Sequence, residues 1–108
     1  MRNLFLASLA VVLALVACDG ADAPTNGTPA PATPGETLFN AQCALCHGRK
    51  GDLGLSGAKD LTKSTLTREQ AIALVTNGKG GMMAYGKVLS AQEIEQVVDH
   101  ARSLKTAE

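Results

Sequence analysis

The sequence predicts an all-α domain of about three main helices, and three observations carry that prediction. Thr33, Thr67 and Ser90 each stand three residues before an acid or amide. This is the pattern of a helix start, in which the hydroxyl accepts from an early backbone N–H while the later side chain reaches back. After Thr67 and Ser90 the apolar residues recur at helical spacing, and no stretch alternates as a half-buried strand would. Of the 108 residues, 45% are apolar and only 3% aromatic, and ten basic side chains balance ten acidic ones. Zero net charge presents no electrostatic footprint to a phosphate backbone, so no nucleic-acid partner is expected.

Each helix has its own local justification. The first starts at Thr33-Pro34-Gly35-Glu36, with proline at the first helical position, where its missing N–H costs nothing. The second starts at Thr67-Arg68-Glu69-Gln70, carries Ala71, Ile72, Leu74 and Val75, and stops near Gly78. The third starts at Ser90-Ala91-Gln92-Glu93, with Leu89 and Ile94 placed as a hydrophobic staple, and continues through Val97, Val98, Ala101 and Leu104. The stretch 34–108 has 75 residues, a size at which side-chain packing alone gives marginal stability. Phe39 and Tyr85 are its only aromatics, so a large apolar cofactor is expected to share the core.

Residues 1–17 read as an export signal: Arg2 is the positive region and Leu4 to Val16 the apolar one. The apolar run ends at Ala17, short of the ~18 to 20 residues a spanning helix needs. Leu15-Val16-Ala17-Cys18 resembles a bacterial lipobox. The resemblance implies cleavage before Cys18 and acylation of that residue, several acyl chains being needed for stable anchoring at roughly 0.8 kcal/mol per buried CH₂. An ordinary secretory signal with an incidental cysteine is the alternative, and either way the domain is exported. Asp19 resembles an inner-membrane retention signal, so the expected location is the periplasmic face of the inner membrane. Residues 18–33, with Pro24, Pro29 and Pro31 among Ala, Thr, Gly and Asn, read as a flexible tether.

The chemistry resides in Cys43-Ala44-Leu45-Cys46-His47, the C-x-x-C-H pattern of covalent haem attachment. Thiols three positions apart lie about one helical turn from each other and meet the two vinyl groups of one haem, and the adjacent His47 is carried under the iron as axial ligand. Two other chemistries use the same spacing. A dithiol oxidoreductase expects a βαβ context, which is missing, and a closed zinc site expects four ligands, whereas Cys43, Cys46, His47 and the distant His100 lack a second ligand pair at finger spacing. Export favours haem: one cysteine serves the lipid, two serve thioethers, and none remains for a disulfide.

Residues 35–105 resemble a class I monohaem cytochrome c of the small bacterial and photosynthetic kind. Gly35-Glu36-Thr37-Leu38-Phe39 matches the start of that family's N-terminal helix, Asn77-Gly78-Lys79-Gly80-Gly81-Met82-Met83-Ala84-Tyr85 its N-G-x-G-x-M-P-x-F stretch, and Leu89-Ser90-Ala91-Gln92-Glu93-Ile94 the start of its C-terminal helix. The resemblance implies a small class I cytochrome c fold around one covalently attached haem c, with Met82 as the distal iron ligand. Met83 occupies the family's proline position, and without that fixed φ it stays a competitor for the iron. His100 sits where the family usually has an aromatic and is expected to pack on the apolar face with a hydrogen bond. The segment Gly57-Ala58-Lys59-Asp60-Leu61 lacks the proline whose carbonyl usually takes the proximal histidine's other N–H. Some carbonyl there is expected to orient His47, but the residues do not say which.

Iron held by His47 and Met82 has no open position, which makes the expected function electron transfer and not enzymatic catalysis. The thioether and the apolar pocket both favour Fe(II), so the expected reduction potential is positive. The alternative is a haem-based ligand sensor or peroxidase-like protein whose distal methionine is displaced. Expected partners are redox proteins such as a membrane oxidase or reductase, with the lipid anchor raising their effective concentration.

Overall fold

The computed structural model describes Gly27 and residues 29–105. The export segment 1–17, Cys18 and most of the 18–33 tether lie outside the described residues. The three expected helices form where the capping signals put them: α1 at Pro34–Gln42, α3 at Arg68–Asn77 and α4 at Ala91–Ser103. A one-turn helix, α2 (Ala44–His47), and 3₁₀ turns at Leu55–Gly57 and Leu61–Lys63 complete the described secondary structure. Among the described residues there is no strand, only an isolated bridge between Lys79 and Met82.

Thr67 Oγ1 accepts from the Gln70 N–H at 3.2 Å, and Gln70 Oε1 accepts from the Thr67 N–H at 2.9 Å. Ser90 and Glu93 make the same reciprocal pair at 3.1 and 2.8 Å. At Thr33 only the forward bond forms, from the Glu36 N–H at 3.1 Å. Thr33 is exposed where the tether enters, and water can satisfy its own N–H.

The core is the crossing of α1 on α4. Phe39 of α1 and Ile94, Val97 and Val98 of α4 are buried together with Tyr85 and Leu89. Leu89 and Ile94 thus meet in the same core, as a staple requires. The helices approach so closely at Gly35 that a Cβ there would overlap the Gln96 carbonyl oxygen. His100 packs its ring against Phe39, centroids 5.1 Å apart and planes tilted by 53°. Its Nε2 is buried and has no hydrogen-bond partner among the described residues, so the expected hydrogen bond is not found at that atom. The start of α3 is strapped to α4 by Arg68, whose Nε and terminal nitrogen donate to the two Asp99 oxygens at 2.7 and 3.0 Å. Arg102 adds a bond to the Leu66 carbonyl at 2.9 Å.

Candidate haem site

Cys43 stands at the junction of α1 and α2, its N–H bonded to the Phe39 carbonyl at 2.8 Å. Its φ of −117° departs from helical values and separates α1 from the single turn of α2, which carries Cys46 and His47. Gly48 then ends α2 with φ 77°, a left-handed value that favours glycine. The chain returns through Leu53, whose N–H bonds the His47 carbonyl at 2.9 Å, and Leu61, whose N–H bonds the Gly51 carbonyl at 2.8 Å.

That return brings the Lys59 carbonyl to 3.0 Å from His47 Nδ1. A carbonyl can only accept, so Nδ1 carries the proton and the lone pair of Nε2 is left for a metal. Lys59 is therefore the orienting residue of the proline-free segment. Its carbonyl is steadied by the neighbouring turn, where Asp60 accepts from the Thr62 N–H at 2.9 Å as a cap and pairs with Lys63 at 3.3 Å. The Thr62 hydroxyl bond, with the Thr62 N–H and Lys63, holds the Asp60 carboxyl below its usual range.

The methionine loop is built as a tight turn. Lys79 and Met82 exchange backbone bonds of 3.1 and 3.0 Å around Gly80, whose φ is 58°. A side chain at Gly78 would press on the backbone of residues 82–84, so glycine is required where the loop leaves α3. The two methionines face different surroundings: Met82 is half-buried against the core, whereas Met83 is 55% exposed. The loop is closed by Tyr85, whose N–H bonds the Val75 carbonyl at 2.9 Å and whose hydroxyl donates to the Gln42 carbonyl at 2.9 Å. Gln42 precedes Cys43, so this hydroxyl joins the methionine loop to the cysteine segment. The sequence marks Tyr85 as an aromatic position but carries no sign of its hydroxyl's partner.

Burial pushes the Cys43 thiol up to about 11, so it is protonated at neutral pH. A dithiol oxidoreductase needs the reverse, a thiolate stabilised by positive surroundings. Nor do three His, Cys, Asp or Glu side chains converge to hold a metal ion among the described residues, which removes the zinc reading there. The site does suit an apolar macrocycle. α3 has no buried residue, and Ala71, Ile72 and Val75, like Cys43 and Met82, are only partly buried where they pack against the core. Two thiols, an imidazole with a free nitrogen and a thioether form the donor set of a covalently attached haem.

The family model described as "Cytochrome C oxidase, cbb3-type, subunit III" matches residues 30–100. The chain belongs to the class I cytochrome c family. Among its relatives, cytochrome c6 of Leptolyngbya boryana is 43% identical over 74 residues, covering 63% of this chain and 86% of the relative. Cytochrome c6C from Synechococcus sp. PCC 7002 superposes with a TM-score of 0.57 at 35% identity, over 66% of this chain and 93% of that one. Cytochrome c6 from the diatom Phaeodactylum tricornutum gives 0.56 at 33% identity, over 65% and 88% respectively. This cytochrome carries one covalently bound haem c, whose attachment motif Cys43 and Cys46 fit, and it is a small haem electron carrier. No helix among the described residues is long and apolar enough to cross a membrane.

Proposed function

We propose that the cytochrome is an exported, membrane-tethered one-electron carrier. Cys43 and Cys46 hold the haem by thioethers, His47 and Met82 are the axial iron ligands, and Cys18 bears the lipid anchor. Bound haem supplies reversible one-electron exchange between Fe(III) and Fe(II). The polypeptide keeps the ligands in place and excludes water. The observation that carries the reading is the 3.0 Å bond between His47 Nδ1 and the Lys59 carbonyl, which leaves Nε2 free to ligate. Met82 is favoured over Met83 because it is packed on the core while Met83 faces solvent. Residues 18–33 let the domain range up to about 50 Å from the membrane, at ~3.1 Å per extended residue, toward a membrane oxidase or reductase.

The test is the visible spectrum of the haem-loaded protein, oxidised and reduced, with and without CO. A low-spin spectrum that CO leaves unchanged is expected. Met82→Ala should lower the potential and admit CO, while Met83→Ala should leave both nearly unchanged. The reverse pattern transfers the ligand role to Met83, and CO binding by the unaltered protein favours the sensor or peroxidase-like reading. Cys18→Ser should release the protein from membranes.

A further inference from the structure

His47 and Met82, the two proposed iron ligands, come from different pieces of chain, so their spacing depends on what joins those pieces. Met82 belongs to the segment 78–89 between α3 and α4, and its two backbone bonds to Lys79 shape the turn without fixing where the turn sits. The segment is anchored after the methionine. The Tyr85 N–H bonds the Val75 carbonyl at 2.9 Å and the Gly86 N–H bonds the Thr76 carbonyl at 3.0 Å, both on α3. Toward the cysteine segment a single hydrogen bond runs among the described residues, from the Tyr85 hydroxyl to the Gln42 carbonyl at 2.9 Å.

The acceptor is free for a structural reason. α1 ends at Gln42, and the Cys46 N–H, which a continuing helix would aim at the Gln42 carbonyl, bonds the Cys43 carbonyl at 3.3 Å instead. The donor is held just as firmly. Tyr85 is 8% exposed in the core with Phe39 and Leu89, so removing its hydroxyl leaves the Gln42 carbonyl without this partner. Core packing is non-directional, whereas a hydrogen bond fixes both distance and angle. The turn has little stiffness of its own, with glycine at 80 and 81 and Met83 where a proline would fix φ.

We infer that the Tyr85 hydroxyl is a positioning group for the iron site. It clasps the segment that carries Met82 to the one that carries Cys43, Cys46 and His47, and so governs how often Met82 lets go and admits an outside ligand. The inference rests on Met82 being the distal ligand. For Met82 to leave, its segment has to shift away from α1, and that shift breaks the clasp. Without the hydroxyl the segment opens about fivefold more often, the usual net worth of one such bond.

The test uses the haem-loaded full chain in its ferric form, mixed in stopped flow with imidazole, a small neutral ligand of iron. At saturating imidazole the observed rate approaches the rate at which the methionine leaves. Tyr85→Phe should raise that limiting rate about fivefold. Arg102→Leu removes a bond of the same kind, 2.9 Å long to the Leu66 carbonyl, that joins α4 to the chain ahead of α3, and it should leave the limiting rate unchanged. Tyr85 is the only tyrosine in the chain, so biosynthetic 3-fluorotyrosine alters this hydroxyl alone. The fluorinated hydroxyl donates more strongly and should slow the limiting rate in mildly acidic buffer. The clasp is overturned if Tyr85→Phe reacts no faster than the unaltered protein. It is equally overturned if Arg102→Leu quickens the reaction as much as Tyr85→Phe does, because overall stability then sets the rate. If Tyr85→Phe attaches no haem, the fluorinated protein decides: a slower limiting rate supports the clasp, and an equal or faster one overturns it. If Met82→Ala leaves the visible spectrum and the imidazole kinetics as they were, the distal-ligand reading fails, and the clasp with it.

Discussion

The α1–α4 crossing and the lobe built from α2, α3 and the methionine loop are folded by different means. At the crossing, Phe39, Ile94, Val97 and Val98 bury one another, and Gly35 lets the backbones meet. In the other lobe α2 and α3 contain no buried residue, and hydrogen bonds to backbone carbonyls tie it together: the His47 ring to Lys59, the Tyr85 hydroxyl to Gln42 and the Tyr85 N–H to Val75. One half is complete as polypeptide. The other positions its polar groups and keeps the apolar side chains of α3 only partly buried, which suits a lobe that shares its core with a cofactor.

The largest effect should come from denying that lobe its cofactor. Replacing Cys43 and Cys46 together by serine should abolish haem attachment and lower the melting temperature by more than about 20 °C, because a 75-residue domain is marginal on its own packing. Far-UV circular dichroism during heating measures this, and an unchanged transition would mean that both lobes stand without haem. Next is the crossing itself: Phe39 is 1% exposed, and Phe39→Ala should cost about 3 to 5 kcal/mol in denaturant unfolding of the holoprotein. A loss below about 1 kcal/mol would show that the haem lobe carries the stability of both halves.

A smaller change sharpens the comparison. Tyr85→Phe keeps the ring and removes the hydroxyl bond to the Gln42 carbonyl, which should cost about 1 kcal/mol. Its effect should appear mainly as faster hydrogen exchange in residues 78–86, with the α1–α4 amides hardly altered. The smallest effect concerns pH. The Asp60 carboxyl is held below its usual range in the fold, chiefly by the Thr62 hydroxyl, so its ionised form stabilises the native state. That contribution is fully present above the ordinary carboxylate range and is lost as pH falls through the lowered native value. Melting temperatures measured from neutral pH into acid should fall slightly less steeply for Asp60→Asn than for the unaltered protein, which starts from a higher value.

How much could be read from the residues depends on how far each interaction reaches along the chain. Thr33, Thr67 and Ser90 announce helix starts because a cap joins residues two or three apart, and the C-x-x-C-H spacing announces haem because both thiols lie within one turn. These are short-range facts, and the amino-acid sequence determined them by itself, together with the helical class and the apolar stripe of α4. Three other features waited for the tertiary structure. The Lys59 carbonyl became the His47 partner only because a twelve-residue loop returns to that point, and nothing in a lysine side chain marks its backbone oxygen. His100 packs on the ring of Phe39, sixty-one positions away, and its buried Nε2 finds no partner among the described residues. Met82 turned toward the core and Met83 toward solvent because Tyr85 bonds the Gln42 and Val75 carbonyls and so sets the course of their loop. In each case the deciding group is remote in sequence, and only the folded path of the chain brings it into contact.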